Sequence, residues 1–269
     1  MNASLPELLH HHPWLITAEA HASLADLVAT SSTSGTGSEV SEQNEAKVEA
    51  DAGLAVIPLQ GVMLRRPDPI ARLFGATDTE RVRNAVELAA GDRSVGAILL
   101  DIDSPGGSIN GTPELATAVR NAATRKPVYA FSAGMMCSAA YWVGCQADVL
   151  YAAPSARIGS IGVLLPVVDR TEAYAKAGVK IEVFAAGKFK GAGMPGTSLT
   201  EDQRAWLQQG VEETWTQFKD AVRSRRQVAD GAMEGQHFPA GSALGHGLVS
   251  GLADTRAKVE RRIRFRHLG

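Results

Sequence analysis

Two loops in this sequence gather residue types that perform acyl transfer. The first is Asp103-Ser-Pro-Gly-Gly-Ser108, which follows the apolar run Gly96 to Ile102. Consecutive glycines leave bare backbone N–H groups free to face an anion or a developing oxyanion. The second is Ser132-Ala-Gly-Met-Met-Cys-Ser-Ala-Ala-Tyr-Trp142, after the run Pro127 to Phe131, in which Ser138 precedes two alanines and a short apolar stretch. A serine so placed sits at the start of a helix, where the small residues Ala139 and Ala140 keep its approach open and the helix dipole favours negative charge. Its plain alternative is a helix N-cap.

A serine nucleophile needs a base, and histidine is missing between His21 and His237. Met136 and Ala140 stand where the elbow pattern G-x-S-x-G requires glycine, which disfavours an α/β-hydrolase. Lysine is the natural candidate. Only about one free lysine in a thousand is neutral near pH 7.4, and burial must lower its pKa by roughly three units, at about 4 kcal/mol, to make it a base. The stretch Ala185-Ala-Gly-Lys-Phe-Lys-Gly-Ala-Gly193 offers both Lys188 and Lys190, with Phe189 between them turning one inward and the other outward. Cys137 is a rival nucleophile without a histidine to raise its thiolate fraction.

These loops need a scaffold of alternating strands and helices. Leu54 to Leu59 and Gly96 to Ile102 read as strands buried on both faces, with a helix between them carrying Val82, Ala85, Val86 and Ala89 behind Thr79 as N-cap. Leu115, Ala118, Val119 and Ala122 mark a second helix, followed by strands over Pro127 to Phe131, Asp148 to Ala152 and Ile181 to Ala185. Such alternation implies an α/β fold with a largely parallel sheet, whose ligands sit beyond the strands' carboxyl ends. Thr200 to Gln203 is a capping box opening a long helix with Trp206, Leu207, Trp215 and Phe218.

The whole chain has 269 residues, 27 basic and 29 acidic side chains, and a formal charge of −2, enough for one large domain and without a nucleic-acid footprint. Residues 1–51 read as an N-terminal extension: an amphipathic stretch around Leu15 to Val28, then a Ser-, Gly- and Glu-rich mobile linker. Residues 52–255 form the domain and 256–269 a basic tail, whose helix from Arg256 to Arg266 reads as a solvated surface helix, with a partner-docking tail as the alternative. His10, His11, His12 and His21 lack the spacing of metal ligands, and neither metal nor cofactor is expected. Cys137 and Cys145, about 12 Å apart if joined by helix, are too far apart to pair. No apolar run reaches membrane-spanning length and the first residues lack a signal-peptide pattern, so a cytoplasmic protein is expected, without membrane or nucleic-acid partners.

Taken together, SPGG after an apolar strand, CSAAYW, ARIGSIGV from Ala156 to Val163, GKFK followed by MPGTSLTEDQ, and FPAGSALGHGLVSGLAD from Phe238 to Asp254 resemble the signal peptide peptidase A family of Ser-Lys peptidases. The likeness runs from about Leu54 to Asp254 and is nearest to the phage-encoded minor capsid or prohead proteases. It implies Ser138 as nucleophile, Lys190 as general base with Lys188 the lesser candidate, and an oxyanion hole from the N–H groups of Gly107 and Ala139, with Gly106 shaping the turn. Ser160 would hold the lysine amine toward Ser138, unless it is only a turn serine.

The resemblance also implies the spiral of ββα units shared by Clp protease subunits and crotonases, a homo-oligomeric ring, and a scaffold or capsid protein as substrate in the host cytoplasm or phage prohead. Ser-Ala-Ala replaces the family's common Ser-Gly-Gly after the nucleophile, so the site is expected to be tight and to take small apolar side chains. The strand edge near Ser108 to Gly111 is expected to align the substrate. Alternatives are a crotonase-like acyl-coenzyme A enzyme, for which no glutamate lies in the two loops, and a non-catalytic capsid assembly component of the same fold.

Overall fold

The computed structural model describes residues 13–31 and 49–269. The predicted linker and the triple histidine therefore lie mostly or wholly outside the described residues. The chain enters as strand β1 (Trp14–Ile16) and helix α1 (Ala18–Ser31), and resumes with β2 (Glu49–Asp51), β3 (Leu54–Gln60), β4 (Met63–Leu64), α2 (Pro69–Leu73), β5 (Thr77–Asp78) and α3 (Thr79–Gly91). Two repeating units follow, β6 (Ala97–Asp103), β7 (Gly106–Ser108), α4 (Thr112–Ala123) and then β8 (Val128–Ser132), β9 (Met135–Cys137), α5 (Ala139–Gly144). The remainder is β10 (Val149–Ala152), β11 (Arg157–Gly159), α6 (Thr171–Lys176), α7 (Glu201–Arg223), β12 (His237–Pro239), α8 (Ala240–Gly245), β13 (Gly251–Leu252) and α9 (Arg256–His267).

The major sheet has the order β13-β10-β8-β6-β3-β2 and is parallel throughout except where β2 meets β3. Its inner strands are continuous apolar runs because both faces are covered: Ala97, Ile98, Leu99 and Leu100 are all fully buried. Each inner strand is followed by a short strand that leaves the major sheet for a second layer. There β5, β4 and β7 run parallel, as do β9 and β11, and a Ser104–Met136 bridge joins the two groups. The result is the expected spiral of ββα units. Its purpose for chemistry is plain: at each step from first layer to second, a tight turn is carried to the same edge.

Three local expectations change. Asp78, not Thr79, caps α3, its carboxylate accepting from the Glu80 N–H at 3.0 Å. Residues 181–185 form no strand; Ile181, Val183 and Phe184 are exposed, and without a neighbouring strand an apolar run has no sheet to join. The basic helix α9 is docked rather than solvated all round, with Val259 and Ile263 fully buried in the main core and Arg256 paired to Asp101 at 3.1 Å.

Candidate active site

Ser138 occupies the turn between β9 and α5, with φ 54° and ψ −120°, a backbone conformation that a residue bearing a Cβ adopts only when its surroundings impose it. The imposing contacts are visible. Its N–H donates to Gly159 O at 2.7 Å, and its carbonyl accepts from Trp142 N–H at 2.9 Å to open α5. Trp142 in turn stacks on Phe218 of α7, ring centroids 4.7 Å apart and planes within 9°. The Ser138 hydroxyl is fully buried and has no hydrogen-bond partner. An unsatisfied buried hydroxyl costs about 1–3 kcal/mol, so its persistence marks a place where stability is given up.

Around this serine the structure assembles four of the expected residues. Ala139 is the first residue of α5 and fully buried. Ser160 follows β11 as Ser138 follows the parallel β9, with Gly159 in register with Cys137 and the same φ of 54°. Its N–H is held by Gln236 O at 2.8 Å. Gly106 has φ 106°, and its N–H donates to Ser104 Oγ at 3.2 Å, which turns the strand toward Ser138. A Cβ on Gly106 would stand 2.9 Å from Ser138 Cβ and 2.1 Å from Leu15 O; one on Gly107 would stand 1.9 Å from Met63 O. Both positions exclude side chains because backbone passes there.

Lys188 and Lys190 are not brought to the serine. Both lie in the exposed stretch after residue 162, and no residue from 162 to 213 is buried. Lys188 pairs with Asp202 at 2.5 Å and rests over the Phe189 ring, which stacks on Trp206. Lys190 is exposed, its N–H bonded to Gly187 O at 3.1 Å. Cys137 is a poor rival nucleophile: burial pushes its thiol up to about 12, so it stays protonated at neutral pH. Among the described residues no group of His, Cys, Asp or Glu is arranged to hold a metal ion, and no helix is long and apolar enough to cross a membrane.

Two participants escaped the sequence reading. The Asp103 carboxylate accepts from Met135 N–H at 2.8 Å and fills the space beside Gly134, fixing the turn that launches β9. Its place at the end of a buried strand was the available signal. The other is β1, which pairs antiparallel with β7 along the edge expected to receive substrate. Nothing in three apolar residues after a histidine run distinguishes such a strand.

Residues 120–263 match peptidase family S49. The chain belongs to that family. Capsid assembly protease C of Escherichia phage lambda is 32% identical over 170 residues, which are 63% of this chain and 39% of that protein. Protease 4 of Salmonella typhi is 27% identical over 215 residues, 77% of this chain and 34% of that protein. The S49 chain described here thus spans between a third and two fifths of the length of these relatives. An enoyl-CoA hydratase homologue from Streptomyces coelicolor A3(2) aligns over 87% of this chain and 76% of its own, with 18% identity and a TM-score of 0.45, a likeness too distant to guide chemistry.

Proposed function

We propose that this S49 chain is a serine endopeptidase with a Ser138–Lys190 dyad, acting on scaffold or capsid proteins during phage head maturation. The observation that carries the reading is the buried, unpartnered Ser138 hydroxyl on a strained turn beside Gly106 and Gly107. The Lys190 amine takes the proton from Ser138 Oγ, and Oγ attacks the substrate carbonyl carbon. The Gly107 and Ala139 N–H groups hold the oxyanion, and the amine leaves carrying the proton. Water then releases the acyl group from the serine. Ser160, in register beside Ser138, orients the lysine amine.

Lys190 serves better than Lys188, whose ammonium is already paired with Asp202. A lysine becomes a base only once burial strips its water. The exposed stretch after residue 162 therefore has to be covered, and a neighbouring copy in a homo-oligomeric ring supplies the cover. The kinship with a capsid assembly protease supports the substrate class.

The test is cleavage of a purified scaffold protein by the wild-type chain and by Ser138→Ala, Lys190→Ala and Lys188→Ala. The first two lose cleavage by three orders of magnitude or more while melting within a few degrees of wild type, and Lys188→Ala retains it. Full activity in Lys190→Ala would overturn the dyad.

A further inference from the structure

Strand β1 lies where a peptide substrate would lie. Trp14, Leu15 and Ile16 face Ser108, Gly107 and Gly106 in antiparallel register. The ladder continues at both ends, with Ile109 N–H donating to Pro13 O at 3.5 Å and Thr17 N–H to Pro105 O at 3.1 Å. Hydrogen-bonded pairs alternate along an antiparallel ladder, so Leu15 and Gly107 are the bonded pair between those two. The Gly107 N–H, one of the proposed oxyanion donors, is thereby directed at the Leu15 carbonyl oxygen. That oxygen also lies 2.1 Å from the point where a Gly106 Cβ would be, and Ser138 Cβ lies 2.9 Å from the same point. The far edge of β1 is gripped as well: Trp14 and Leu164 exchange N–H to O bonds of 2.8 and 3.0 Å.

The side chains sort as a bound peptide's would. Leu15 points into the main core and is fully buried, whereas Trp14 and Ile16 join a separate apolar group with Leu24, Leu64, Ala71 and Ala76. That second group is not closed. A surface groove of about 670 Å³ runs beside it, lined by Leu24, Val62, Leu64 and Phe74, and another of about 560 Å³ borders Ile16 and Ser160. The strand is followed by α1 and then by residues 32–48, a Ser-, Gly- and Glu-rich stretch without core-forming composition.

We infer that Pro13 to Thr17 is a tethered substrate mimic: the chain's own N-terminal strand fills the peptide channel, with Leu15 in the place of the residue before the scissile bond, and an outside peptide enters only when this strand leaves. The inference rests on the peptidase reading for the word substrate, but the exchange of one strand for another does not require turnover. It also sets the channel's preference. The site takes a leucine-sized apolar side chain in place of the small ones expected from Ala139 and Ala140.

The test uses the full chain carrying Ser138→Ala, so that binding is read without cleavage, and a fluorescein-labelled peptide copying residues 11–19. Pro13→Cys with Ile109→Cys places cysteines across a bonded antiparallel pair, a spacing that suits a disulfide. Oxidised, this chain is expected to bind the peptide roughly tenfold or more weakly than the same chain reduced, while Leu15→Asp, which expels the strand, binds it roughly tenfold or more tightly. Trp14→Cys with Leu164→Cys is an independent lock, should the first pair or Leu15→Asp disturb folding.

Equal affinity in oxidised and reduced chains, or no binding in either, overturns the inference and makes β1 a fixed strand. Exchange of the peptide without any cleavage by the Ser138 chain overturns the peptidase reading alone.

Discussion

At the residue scale, backbone passes without room for a side chain at Gly106 and Gly107, and Ser138 holds a side chain on a strained turn. Gly106→Ala puts a methyl 2.1 Å from Leu15 O and 2.9 Å from Ser138 Cβ at a φ of 106°. It is expected to cut cleavage about 100-fold through sub-ångström misplacement of the oxyanion donor, read as kcat/KM on a scaffold peptide, with most of the loss in kcat. The meeting of Ser138 with the glycine pair was legible because both lie in runs of small residues just after buried strands. Asp103 and the strained φ of Ser160 were not, since their roles depend on register between strands distant in sequence.

Burial also sets a pH dependence. The thiols of Cys137 and Cys145 are pushed from an ordinary value of 9.0 up to about 12, and the Tyr141 phenol is pushed up in the same way while its hydroxyl donates to Leu248 O. Between those limits the folded chain keeps protons that the unfolded chain releases. The contribution of these groups to stability is therefore fully present below pH 9 and is lost as pH rises through 9 toward 12, by about 1.4 kcal/mol per pH unit for each thiol. Urea denaturation across that range is expected to show the decline, and Cys145→Ala to remove about one proton from its slope.

At the scale of elements, α7 acts as a clamp on α5. Thr200 and Gln203 close a capping box at its start, and Phe218 is fully buried against Trp142. Phe218→Ala is expected to cost about 3–5 kcal/mol by chemical denaturation, and to loosen the helix that begins just after Ser138. Unchanged stability would mean that the stack is not what holds α5. The long inner strands β3, β6 and β8 were readable as apolar runs because both faces are covered. The second layer was not, because strands of two or three residues such as β4, β7 and β9 show no period. The run from Ile181 to Ala185 misled for the opposite reason: its apolar residues have strand character but no strand beside them in this chain.

At the scale of the whole molecule, one stretch stands apart from the main core. From residue 162 to 213 nothing is buried, and Phe184 is 93% exposed. A ring whose neighbouring copies cover this stretch would account for the apolar character of Ile181, Val183 and Phe184. Sedimentation is expected to give a closed oligomer of the 28.4 kDa chain, and Phe184→Asp to shift it to smaller species and lower the cleavage rate. A wild-type monomer that cleaves at full rate would remove the ring from the account.

In the proposed reaction the Ser138 Oγ is the atom that is acylated. Treating the full chain with a leucine-containing peptidyl β-lactone and locating the adduct by mass spectrometry tests that directly. The predicted result is one acyl group on Ser138, absent from Ser138→Ala and strongly slowed in Lys190→Ala; an acyl group on Ser160, Cys137 or Lys188, with Ser138 untouched, would contradict it.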